Sequence, residues 1–238
     1  MKISDYLIHK QLTKDYKASF AVIVGGLVYV NGEKETSMNR SVSDTDLIKI
    51  IKRRKYVSRS GEKLEAAIKY FNISAYRMVC LDAGASTGGF TDCLLQHGAA
   101  RIYAVDVGYG KLDWKLRNNP LIVNLERQNV REMLDVIDAE TIDLITLDIS
   151  FSSVKTIIPE VLPLLKPRRK ILVMVKPQFE LSKNCLRKGI VIEKADQEKA
   201  VASVITSMKK QGLSCSDAFA SPVKGTKGNQ EYFILGSL

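Results

Sequence analysis

Apolar residues follow two rhythms along this chain. Beyond about residue 60, short unbroken apolar runs alternate with amphipathic stretches. The runs at 78–82, 101–106, 121–124, 142–147 and 170–175 predict buried strands of a parallel sheet. The stretches at 61–72, 89–97, 153–165 and 194–211 predict helices. Two later strands, about 214–221 and 230–236, are joined by the turn-rich Lys224-Gly225-Thr226-Lys227-Gly228-Asn229,. The first 51 residues read differently. Ser4 is expected to cap a helix through Lys10. Asp15 is expected to cap a second, to about Val24, with Ala18, Val22 and Ile23 facing inward and Gly25-Gly26 ending it. A strand Leu27–Val30, a tight turn Asn31-Gly32 and weaker strands near Glu33–Thr36 and Asp46–Ile51 follow,. The pattern predicts a small α+β domain at 1–51, a connector at 52–58 and an α/β domain at 59–238, its sheet finished by a hairpin-like antiparallel pair.

Charge sharpens this division. The 238 residues carry a net charge of +10. Residues 1–63 hold 13 Lys/Arg against 7 Asp/Glu, so a quarter of the chain supplies more than half of the excess. That asymmetry points to a polyanion-binding N-terminal module. Lys10, Lys14 and Lys17 are its candidate contacts. The run Lys52-Arg53-Arg54-Lys55, with Arg59 beyond it, could clamp phosphates at the boundary. Cys80, Cys93, Cys185 and Cys215 lack metal-ligand spacing, and His9 and His97 are the only histidines, so no metal site is expected,. Unpaired cysteines suit a reducing cytoplasm. Residues 1–19 are charged throughout, and the apolar run Phe20–Val30 is too short to span a bilayer, so no export signal and no membrane association are expected,.

The candidate chemistry starts at Asp82-Ala83-Gly84-Ala85-Ser86-Thr87-Gly88-Gly89-Phe90, a strand end, a glycine turn and a helix start. Such a turn lets backbone N–H groups approach a cofactor. A carboxylate at the strand's end would repel a pyrophosphate and suits a cationic or amino-bearing ligand such as S-adenosylmethionine. Asp106, ending the next strand, is placed to accept ribose hydroxyls of an adenosine. Ligands in open α/β sheets sit beyond the carboxyl ends of the strands. Asp148 and Lys176 fall there, Glu231 opens an antiparallel strand at the same edge, and Lys63 reaches it from the preceding helix.

Lys63, Asp148, Lys176 and Glu231 match in order the Lys-Asp-Lys-Glu tetrad of the FtsJ-type ribose 2′-O-methyltransferases. The segments Val57–Leu64, Ser86–Phe90, Asp106–Gly110, Lys176-Pro177-Gln178-Phe179-Glu180 and Lys224–Tyr232 resemble the TlyA family, also called hemolysin A. Residues 2–51 resemble the RNA-binding module of small-subunit ribosomal protein S-four, through Gly26-x-Val28-x-Val30-Asn31-Gly32. They depart from it where that module has a Ser-Arg pair, here Asp15-Tyr16-Lys17-Ala18.

The resemblance implies a Rossmann-like S-adenosylmethionine methyltransferase sheet with a terminal antiparallel strand, acting on the ribose 2′-hydroxyl of a cytidine in ribosomal RNA. It implies a cofactor cradle of Asp82, Gly84, Ser86, Thr87, Gly88 and Phe90, with Asp106 on the ribose and Asn129 near the base. Family members with short ends favour the large subunit, and this chain begins at its first helix and ends soon after its last strand. Three other readings stay open: a membrane-active hemolysin, a non-catalytic RNA-binding assembly factor, and a nicotinamide oxidoreductase.

Overall fold

The computed structural model describes residues 1–51 and 54–238 and divides into two compact units, Met1–Arg54 and Lys55–Leu238. In the first, helices α1 (Ile3–His9) and α2 (Tyr16–Val24) accompany an antiparallel sheet of order β2-β1-β3, with β1 Val28–Val30, β2 Glu33–Glu35 and β3 Ile48–Ile50. Ile3, Leu7, Ile23, Val28 and Val30 form its core. Asp15 caps α2 by accepting from the Ala18 N–H at 2.7 Å. Ser4 is not a cap. Helix α1 begins at Ile3, because its N–H donates to the Arg40 carbonyl at 2.8 Å and Lys2 bridges Ser41. Ser4 is buried inside the first turn, where its carbonyl accepts from Ser19 Oγ at 3.2 Å. Consequently Ser19, with Ile23, faces inward on α2, and Ala18 and Val22 are only half-buried.

The second unit is a doubly wound sheet. Its strands are β4 (Val79–Ala83), β5 (Arg101–Asp106), β6 (Ile122–Glu126), β7 (Ile142–Leu147), β8 (Leu165–Val175), β9 (Ser214–Cys215), β10 (Phe219–Ala220) and β11 (Tyr232–Ser237). Their order is β10-β11-β8-β7-β4-β5-β6, with β9 also on β11; β4 to β8 are parallel and β11 runs antiparallel to β8. Side chains alternate between faces, as strand geometry requires. Leu81, Ile145 and Val173 join one core; Cys80, Leu144 and Leu172 join the other. Helices α3 (Arg59–Tyr70), α4 (Gly89–Gln96) and α5 (Trp114–Arg117) contribute to the second core, and α8 (Lys194–Lys210) to the first. The chain winds from β4 out to β6, then crosses back to β7 on the other side of β4. That reversal opens a crevice beyond the carboxyl ends of β4 and β7, the usual ligand position in such sheets.

Three stretches depart from the pattern read above. Residues 153–165 are not one helix but a 3-10 turn at Val154–Thr156, helix α6 at Ile158–Val161 and a 3-10 turn at Leu162–Leu164. Pro159 and Pro163 each sit at the start of a segment, where a missing N–H costs least and continuation of the previous helix is blocked. Strand β8 begins at Leu165, earlier than its apolar core, and its register against β7 shifts between Ile142 and Leu144. The strand expected at 214–221 is split into β9 and β10, and Glu231 lies just before β11 rather than inside it.

Candidate active site

Five loops leave the carboxyl ends of β4 to β8 and meet around one cavity of about 830 Å³. Gly84, Ser86 and Thr87 come from the first, Asp106 closes the second, Asn129 the third, Asp148 the fourth and Lys176 the fifth. Lys63 on α3 and Glu231 ahead of β11 complete the lining. The sheet order explains the convergence: Asp106 ends β5, Gly84, Ser86, Thr87, Asn129, Asp148 and Lys176 sit one to four positions beyond a strand of the same edge, and Glu231 directly precedes the antiparallel β11.

The four charged residues form two ion pairs. Lys63 Nζ donates to Glu231 Oε2 at 2.6 Å. Lys176 Nζ lies 2.5 Å from Asp148 Oδ1 and donates to Ser150 Oγ at 2.8 Å. Lys63, Lys176 and Glu231 are buried. Burial pushes the Asp148 carboxyl up, against the pull of Lys176 and, more weakly, Lys63,. The pairs are therefore within electrostatic reach of each other. Glycine makes both placements possible. A Cβ on Gly84, whose φ is +89°, would stand 2.5 Å from the Asp148 carbonyl oxygen. A Cβ on Gly225 would occupy the space of the Glu231 carboxylate.

Asp106 lines the cavity and accepts from the Ser86 N–H at 2.9 Å and the Gly108 N–H at 2.6 Å, tying the glycine turn to the tip of β5. A carboxylate has about four lone-pair sites, so acceptor capacity remains for a ligand hydroxyl. Asn129 Oδ1 caps the following 3-10 turn by accepting from the Arg131 N–H at 3.1 Å. Phe90 reaches the cavity wall from the core, where it stacks on Phe233.

Two cradle residues do not reach the cavity. Asp82 is fully buried, and its carboxylate accepts from Thr91 Oγ1 at 2.6 Å and Thr146 Oγ1 at 3.3 Å. It bolts α4 and β7 to β4, and burial pushes its pKa up to about 7. Gly88, at φ +91°, faces Leu112 and Leu116 instead, and its missing side chain makes room for them.

Among the candidate RNA contacts, Lys14 and Lys17 are exposed. Lys10 pairs with Asp44 at 2.8 Å. Lys55 is engaged by Glu65 at 2.6 Å, on α3. Arg54 is exposed, Arg59 is exposed on the cavity wall, and Lys52 and Arg53 lie outside the described residues. Residues missed by sequence reasoning also line the site. Ser150 holds Lys176, and Phe151, at φ +68° and almost fully exposed, leans on Phe179 at 5.5 Å. Their position directly after Asp148 was the available signal.

The FtsJ-like methyltransferase profile matches residues 56–238. The chain belongs to that family. Hemolysin A of Brachyspira hyodysenteriae is 39% identical over 98% of both chains. The 16S/23S rRNA (cytidine-2′-O)-methyltransferase TlyA of Mycobacterium tuberculosis is 36% identical, covering 98% of this chain and 88% of its own. A solved structure of a hemolysin-named protein from Streptococcus thermophilus is 34% identical and superposes with a TM-score of 0.75, covering 100% of this chain and 88% of that one. The methyl donor of such enzymes, S-adenosylmethionine, fits the residues present. The cavity is of ligand size, Gly84 leaves the turn's backbone open, and Asp106 keeps acceptor capacity for a ligand hydroxyl.

Proposed function

We propose that the protein methylates the ribose 2′-hydroxyl of a cytidine in ribosomal RNA, with S-adenosylmethionine as donor. The observation that carries this reading is the shared cavity: the Lys63–Glu231 and Lys176–Asp148 pairs line the same space as the glycine turn and Asp106. When bound, S-adenosylmethionine supplies an electrophilic methyl group. The chain's task is then to hold and activate a poor nucleophile. Lys176, oriented by Asp148 and Ser150, stabilises the developing alkoxide by hydrogen bonding. Lys63, fixed by Glu231, adds a second positive charge in a site shielded from water. Positioning of the hydroxyl supplies much of the acceleration. Exposed Arg59, Arg131 and Lys227 on the cavity wall give the rim the sign that a phosphate backbone requires,.

Residues 1–51 serve as the S-four-like RNA-binding module, with Lys14 and Lys17 among its exposed cations. The M. tuberculosis relative's name carries both 16S and 23S RNA. The Campylobacter jejuni relative's name carries 23S RNA alone, and large-subunit RNA is the arm in which product is expected here. A ribosome-modifying role calls for a cytoplasmic protein, and its four free cysteines suit such a reducing compartment,. The Brachyspira relative's name keeps a lytic reading in view, although no helix among the described residues is long and apolar enough to cross a membrane.

The test incubates labelled S-adenosylmethionine with unmodified large and small ribosomal subunits and maps the methylated ribose. Label in one subunit's RNA, absent with Lys176→Ala, is the expected result. Cofactor binding without product on either subunit would replace this reading by that of an RNA-binding assembly factor. Vesicle leakage that survives Lys176→Ala would favour the lytic one.

A further inference from the structure

Asp148 and Lys176 stand on separate loops, and something must hold those loops in register. The Asp148 end is anchored, because its N–H donates to the Ala83 carbonyl at 2.9 Å. Beyond it the chain passes through the exposed, left-handed Phe151. The next fixed point is Ser153-Val154, and what fixes it is Glu180. Glu180 Oε2 accepts from Ser153 Oγ at 2.5 Å and Oε1 accepts from the Val154 N–H at 2.8 Å. Glu180 ends helix α7 (Pro177–Glu180), one turn after Lys176. Its side chain is almost wholly buried, with Lys155 Nζ 3.7 Å away. Val154 opens the 3-10 turn that Ser153 caps, so the carboxylate satisfies an otherwise orphaned N–H at a helical start,.

We infer that Glu180 is a positioning residue for methyl transfer, a bracket that locks the loop carrying Asp148 to the loop carrying Lys176. It does not line the cavity and touches no reacting atom. The loops are thus joined twice: by Lys176 to Asp148 and Ser150 at the site, and by Glu180 to Ser153 and Val154 behind it. The first joint is the one that substrate must share; the second keeps the geometry while it does so. This inference rests on the methyltransferase reading for its kinetic consequence and on the hydrogen bonds alone for its structural one.

Reach and charge can be separated. In Glu180→Gln the amide oxygen still accepts from Val154, and the amide N–H donates to Ser153 Oγ, which can accept. Glu180→Asp keeps the charge but is one methylene too short. A bracket therefore tolerates Gln and fails with Asp or Ala; a purely electrostatic role gives the reverse order. The experiment measures methyl transfer to ribosomal RNA, S-adenosylmethionine affinity, and backbone hydrogen exchange over residues 148–156, on full-length protein.

The expected result is a kcat loss of about 10- to 100-fold for Glu180→Ala and Glu180→Asp, with RNA KM and cofactor Kd within about 3-fold. Glu180→Gln should recover most of the activity. Exchange over 148–156 should rise in the Ala and Asp variants alone. Ser153→Ala should cost less and should not add to Glu180→Ala, since both break one joint. Wild-type kcat in Glu180→Ala, activity of Asp above Gln, or unchanged exchange would overturn the inference. If Glu180→Ala fails to fold, the Gln and Asp pair decides. If the wild type itself transfers no methyl group, the functional reading falls, and the exchange data still decide whether the bracket exists.

Discussion

Glu231 and Lys63 meet at 2.6 Å although 168 positions of chain separate them. Both are nearly excluded from water, so each charge depends on the other. Removing one partner of such a pair costs about 3–5 kcal/mol, whereas replacing both by apolar groups is often neutral. Glu231→Ala is therefore expected to lose both stability and activity. Lys63→Met combined with Glu231→Leu is expected to regain stability but not methyl transfer. Urea unfolding of both, beside the transfer assay, checks this. A single variant as stable as the wild type would show that the pair is not energetically isolated from solvent.

Gly225 is held to its identity by Glu231 rather than by its own backbone, since its φ of −66° suits any residue. A Cβ there stands 2.8 Å from Glu231 Cδ. Gly225→Ala is expected to push the carboxylate away from Lys63 and lower kcat about 10-fold, a loss in keeping with a sub-ångström to 1 Å displacement. S-adenosylmethionine affinity should stay within a few-fold. Isothermal titration and steady-state kinetics separate the two quantities.

Burial raises the Asp82 carboxyl from the ordinary 3.8 to about 7 in the folded chain. The folded state therefore holds a proton that the unfolded state releases, and stability falls as pH rises from about 4 to about 7. The slope from this one group is on the order of 1 kcal/mol per pH unit. Above pH 7 the loss is complete. Asp82→Asn keeps partners for the Thr91 and Thr146 hydroxyls and removes the titration. Its stability relative to wild type should rise across that window and then level, as read by unfolding at each pH. Cofactor affinity should not change, because the side chain does not enter the cavity. Parallel stability profiles for the two proteins would place the Asp82 titration elsewhere.

The tetrad was legible because strand ends are. An apolar run that stops at Asp148 or Lys176 marks a carboxyl edge, and the sheet topology brings such edges together. Asp82 was misread for a reason of phase. Successive strand residues point to opposite faces, so a side chain one position off is turned from the ligand into the core. Composition could not reveal that Asp82 faces Thr91 and Thr146. The stretch 153–165 kept a helical period while Pro159 and Pro163 cut it into three, so periodicity registered the buried face and not the breaks. Glu180 was visible as part of a motif but not as a bracket, because its partners lie 26 and 27 positions away. Side-chain hydrogen bonds at such distances follow from the fold and leave no local trace.

The N-terminal unit offers a test that does not depend on the chemistry. Lys14 and Lys17 flank the Asp15 cap and are exposed, with Lys14 Nζ a loose 3.9 Å from the Asp15 carboxylate, whereas Lys10 is held by Asp44 at 2.8 Å. Neutralising phosphate-contacting cations lowers affinity across sequences and flattens the salt dependence by about one unit of log–log slope per lost contact. Lys14→Ala with Lys17→Ala is therefore expected to weaken ribosomal RNA binding and reduce that slope by about one to two units. Lys10→Ala should have the smaller effect, since Asp44 already neutralises its charge. Filter-binding titrations over a salt series would measure all three. An unchanged slope in the double variant would remove this segment from the RNA interface and shift the expectation to Arg54 and to the cavity rim, with Arg59, Arg131 and Lys227.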